Sequence, residues 1–206
     1  MHERSSKSPW VSIWTQPRET IRHIVDTNPR RSFYWLAAIY ALQSILFLAN
    51  YLSLGLTYHY LLIFLIAILL SPALGTIWIY IYAWLFRMSG KWLGGKAPAS
   101  HVRAAFAWSK VPLLINLAMW FILLMFSTDY VFIQYSSGPS LFFINVITLI
   151  SGIWSFVILV QCFREIQEFS LGRSIGNVLL GYALGFILFF LISFIITSLI
   201  GMTSKS

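Results

Sequence analysis

Charge is scarce in this chain, and acid is scarcest. Asp and Glu number six against fourteen Lys and Arg, and charged residues make up 10% of the sequence, whereas soluble domains carry about 25%. That deficit excludes an ordinary water-facing surface and suits lipid. Cysteine is almost missing as well. A lone Cys162 excludes an intramolecular disulfide and any cysteine-cluster metal site. The four histidines, His2, His23, His59 and His101, show no H-E-x-x-H or other ligand spacing, so neither a metal nor another cofactor is expected. A secretory signal is not expected either, because the first 32 residues hold six basic residues and no apolar run.

Apolar sequence takes the place of charge. Five hydrophobic segments run over 33–56, 61–86, 111–126, 141–163 and 175–200. A membrane span needs about 20 residues, and within lipid each segment must be helical so that its backbone donors find partners internally. The third segment is the shortest; it tilts little, begins earlier, in "AAFAWSK", or inserts only in part. The expected fold is therefore all-α: an integral membrane bundle of five transmembrane helices with an N-terminal amphipathic interfacial helix. Its divisions are an N-terminal region 1–32, a membrane domain 33–200 and a short external tail 201–206.

Orientation follows the cations. Arg4, Lys7, Arg18, Arg22, Arg30 and Arg31 precede the first span. Arg87, Lys91, Lys96, Arg103 and Lys110 follow the second, and Arg164 and Arg173 follow the fourth. The two opposite loops have none, and the tail has only Lys205. The expectation is a cytoplasmic N-terminus and an external C-terminus in a bacterial cytoplasmic membrane. The net charge of +8 then belongs to flanks lying beside anionic lipid rather than to a nucleic-acid surface.

Before the first span, Trp10, Ile13, Trp14, Pro17, Ile21, Ile24 and Val25 recur at helical spacing, while Arg18, Glu19, Arg22 and Asp26 fall elsewhere. Thr15 suits the N-cap, Pro17 the first turn, and Asn28-Pro29 the stop. Such a stripe fits a helix in the headgroup layer, an anchor packed under the bundle, or a docking site for a cytosolic partner.

Residues 90–96 reproduce G-x-x-x-x-G-K, but residue 97 is Ala where a phosphate-binding loop needs Ser or Thr for magnesium, and no strand precedes it. A nucleotide site is rejected. "SGKWLGGK" reads as a turn, with Trp92 and Leu93 dipping into the interface. The stretch after Pro98 reads as a short helix, capped by Ser100 and broken from the third span at Pro112.

No Asp, Glu, Lys or Arg falls inside the five segments, which argues against a proton-coupled carrier. Among the neutral polar residues, Gln43, Asn116 and Asn145 are candidates for intramembrane contacts. Gly181 and Gly185 form a G-x-x-x-G, read either as close helix packing or as a homo-oligomer contact. Arg164 and Glu168, four apart, read as a surface pair on a continued fourth helix. Alternatively, Arg103, Lys110, Arg164 and Arg173 form a rim that grips a lipid headgroup.

Five motifs come in a fixed order. They are "W-x-x-P-R-x-T-I-R" (Trp14 to Arg22), "NPRR", "LGGKA" after the second span, "AAFAWSKVP" into the third, and "W-S-x-V-I-L-V-x-x-x-R-E-I-Q-E-F-S-x-G-R-S" joining the fourth to the fifth. Together they resemble the bacterial branch of the YIP domain family, polytopic membrane proteins named for interaction with Ypt/Rab GTPases. The resemblance implies five spans and a cytoplasmic N-terminus, and it implies no reaction. Its eukaryotic members bind GTPases through longer N-terminal regions, so that property is not carried over.

No catalytic set of nucleophile, base and orienter is visible. The reading is a non-enzymatic membrane protein that binds or organises membrane lipids or a membrane or cytosolic protein partner. The alternative is a transporter or flippase for a lipid-linked or small amphipathic substrate.

Overall fold

The computed structural model describes residues 8–126, 131–134 and 139–203. The described residues form helices without strands. Two short helices open the chain, α1 (Pro9–Thr15) and α2 (Pro17–Thr27), followed by the long helices α3 (Phe33–Tyr51) and α4 (Tyr60–Trp92). Next come α5 (Ala99–Trp108), α6 (Leu113–Phe126), α7 (Pro139–Ile166) and α8 (Leu171–Thr203). Residues 204–206, with Lys205, lie outside the described residues, and α8 itself runs into the segment expected to be an external tail.

The packing order follows from which helices touch. α3 packs on α4, α4 on α8, α8 on α7, α7 on α6, and α6 back on α3, closing a ring of five. Leu65, Leu69, Phe186 and Phe194 project from its outside, the surface that lipid tails cover. Four helices are long and apolar enough to cross a membrane, or five if α5 and α6, bent by 43° at their junction, together make one broken crossing. Ala104–Trp108 are all buried, so the stretch "AAFAWSK" enters the bundle ahead of α6. α5 sits with this apolar part against α3, α4 and α7, plugging one end of the ring.

Pro72 lies inside α4 without ending it. A mid-helix proline lacks the N–H that would bond the carbonyl four residues back; here the Ser71 hydroxyl donates to that carbonyl, Ile68 O, at 3.0 Å. One turn on, Gly75 has the Ala37 carbonyl where a Cβ would stand, so α3 and α4 meet backbone to backbone. At the end of the ring remote from α5, Asn50 donates to Val131 O at 2.8 Å and Trp120 stacks on Phe132.

α4 continues past Phe86 to Trp92, so half of the expected glycine turn is helical. The N-terminal stripe also divides differently. Gln16, not Thr15, separates α1 from α2, and the stripe is shared between two helices. Its apolar members do face inward: Ile13, Ile21 and Ile24 are buried, and the Trp10 ring lies 5.1 Å from that of Trp108. α2 packs on α5 and α7, so the anchor reading holds for that face.

Candidate functional site

The quoted motifs converge at the end of the bundle that α5 plugs. Three locks hold them there. The first ties α2 to α7. Arg18 and Arg22, one turn apart, both reach Glu165, at 2.9 Å and 2.7 Å. The carboxylate is 9% exposed while the arginines are open to solvent, so the acid is the anchored partner. The surface pair expected between Arg164 and Glu168 does not form. α7 stops at Ile166, Glu168 turns with φ 56°, and Arg164 Nη1 donates instead to Gln161 Oε1 at 3.2 Å.

The second lock ties the glycine loop to the α7–α8 turn. The Ala97 amide donates to Gln167 Oε1 at 3.0 Å, and Gly94 turns the chain with φ 87°. A Cβ on Gly90 would stand 2.6 Å from Gln167 Nε2, and one on Gly95 would also strike that side chain. The glycines are there to admit a glutamine. Beside them, Ser89 donates to Asn177 Oδ1 at 2.6 Å across α4 and α8.

The third lock is Lys110. It was expected on the headgroup rim and outside every span; the structure places it at the break between α5 and α6, only 8% exposed. If the bent pair is one crossing, this cation lies within it. The chain turns here because Pro112 supplies no amide, and short bonds such as Lys110 N to Ala107 O (3.1 Å) replace the regular ladder. Lys110 Nζ donates to the Tyr182 hydroxyl at 3.1 Å and stands 4.6 Å from the Phe106 ring centre, 5.4 Å from Tyr40 and 5.7 Å from Tyr182. No carboxylate pairs with it among the described residues. Ring faces stabilise a desolvated cation by about 2 kcal/mol, and here they stand in for an acid.

The other rim candidates separate. The Arg103 guanidinium lies 4.9 Å from the Tyr80 ring centre. Arg173 is exposed and lines a surface pocket with Lys96 and Glu168. The polar candidates separate too. Asn116 is buried and accepts from Ser151 Oγ at 2.8 Å, Gln43 is buried in α3, and Asn145 is exposed. Gly181 and Gly185 face the chain's own α4, against Phe86 and Tyr82. No group of three or more His, Cys, Asp or Glu able to hold a metal occurs among the described residues.

Glu165, Gln167 and Tyr182 did not emerge from the sequence as functional positions. Arg18 and Arg22 at i, i+4 hint at one shared acid, and paired glycines hint at a neighbour pressed against the backbone, but neither names the partner.

A five-helix membrane ring with its ordered motifs gathered at one end defines a polytopic membrane protein of a particular family. The Yip1 domain profile matches residues 11–202, and the chain belongs to that family. No curated protein and no solved structure matches it.

Proposed function

We propose that this Yip1-domain protein is non-enzymatic and binds or organises membrane components, partner proteins or lipids, at the end where its motifs converge. That end faces the cytoplasm of a bacterial cell, as the thirteen cations distributed on one side favour. The observation that carries this reading is the plugged interior. α5 plugs one end of the ring, and Lys110 there is enclosed by rings rather than open to a channel. A protein built to hold others through its surface has no need of a passage.

A second reading is a transporter or flippase for a lipid-linked or small amphipathic substrate. It draws on Trp108 Nε1, Asn116 Nδ2 and Ser155 Oγ, buried polar atoms on α5, α6 and α7 without a partner among the described residues. Unpaired buried donors are costly and suit a substrate that visits them. Reconstitution separates the two. In liposomes carrying fluorescent lipid, the binding reading predicts scrambling at the protein-free rate. A rate raised by the protein and lowered by Asn116→Leu would favour transport.

A further inference from the structure

The loop that imitates a nucleotide site still borders a pocket. Lys96, with Gly94, Ala97 and Pro98, forms one wall of a surface recess of about 430 Å³; the turn between α7 and α8, with Gln167, Glu168, Phe169 and Arg173, forms the other. We propose that this recess binds a phosphate group, either as the headgroup phosphate of an anionic lipid or as free phosphate. The proposal rests on the reading that this end of the protein binds membrane components, and it names the chemistry.

Two features suit an oxyanion. Lys96 and Arg173 line the recess from separate segments, and neither forms an ion pair with a carboxylate among the described residues. Glu168 is the one acid on the wall, so the lining keeps a net positive charge. Arginine offers a planar fork and lysine a compact charge, both suited to phosphate oxygens.

The walls are also fixed beforehand. Gln167 joins them through its bond to the Ala97 amide, and Gly90 and Gly95 leave no slack around its side chain. A site whose shape is set before binding loses less entropy on capture. The recess differs from the rim expected from the sequence, because it keeps Arg173, adds Lys96, and uses neither Lys110 nor Arg103.

The test uses the full chain in nanodiscs of phosphatidylcholine alone or with phosphatidylglycerol, compared with Lys96→Gln, Arg173→Gln and the control Lys91→Gln. Lys91 is exposed on the same segment but does not line the recess. Native mass spectrometry reads retained phosphatidylglycerol, and phosphorus NMR titration reads inorganic phosphate in the phosphatidylcholine discs. Each recess variant should weaken binding of one probe by about tenfold, while Lys91→Gln leaves it within about twofold. Loss confined to phosphatidylglycerol identifies a lipid headgroup; loss of inorganic phosphate binding identifies the free ion. Equal binding by wild type and both variants, or an equal loss in Lys91→Gln, overturns the recess. If wild type retains neither probe the recess fails as well. If it also retains no lipid or protein from native membranes, the broader binding reading fails with it.

Discussion

At the scale of single residues, two side chains carry the arrangement, and each makes a prediction. Glu165 holds two arginines at once, so Glu165→Gln should weaken the docking of α2 by about 1–2 kcal/mol, less than a fully buried pair because the arginines face solvent. Hydrogen exchange over 17–27 would quicken, and unchanged protection would show that apolar packing alone holds the helix. Lys110 behaves differently because its partners are neutral. Removing the hydroxyl with Tyr182→Phe leaves a buried ammonium short of an acceptor and should lower stability by about 1–3 kcal/mol. Lys110→Met, which removes the charge itself, should be neutral or stabilising. Melting of the protein in mild detergent reads both. If Lys110→Met is the more damaging of the two, the amine has a role beyond packing. Neither role was legible in the sequence. Lys110 sits one residue before an apolar run and resembles any flanking cation. Its burial depends on α5 entering the ring, a tertiary event with no local signature.

Elements were easier to read than their partners. The spans followed from hydropathy, because lipid leaves a long apolar stretch no alternative to a helix, and the N-terminal stripe followed from its period. What sequence could not supply was the neighbour of each glycine. Gly75 meets the Ala37 carbonyl, Gly181 meets the Phe86 ring, and Gly152 meets nothing within 4 Å. Alanine at these positions should therefore differ in effect. Gly75→Ala should be the worst, since a backbone carbonyl cannot swing aside. Gly181→Ala should cost about 1–3 kcal/mol, since the buried ring must shift, and Gly152→Ala should be silent. Resistance to unfolding in denaturing detergent ranks them. Equal effects at Gly75 and Gly152 would mean that α3 and α4 do not touch as described. The spacing of Gly181 and Gly185 was visible, but one pattern serves a dimer and an internal contact alike. A dimer through the same face would have to displace α4.

For the whole molecule, charge asymmetry is the signal on which the proposed orientation rests. It predicts that cysteines placed at Lys91 and Ser170, in a Cys162→Ala background, label from the cytoplasmic side, and one at Thr57 from the other. Ser204, outside the described residues, should label with Thr57 if α5 and α6 make one crossing. Labelling with Lys91 would reduce the crossings to four. The candidate site was legible only as a list of cations; that they part company, one into an aromatic cage and one into a recess with Lys96, needed the fold. The central claim is that this protein acts by holding membrane components at its motif-bearing end. Photo-crosslinking in native membranes tests it most directly, with a photoreactive side chain at Lys91 or Ser170 on that end and at Thr57 on the other, all three exposed. The prediction is a discrete set of lipid or protein adducts from Lys91 and Ser170, with only diffuse bulk-lipid adducts from Thr57; discrete adducts confined to Thr57, or none from either end, would contradict it.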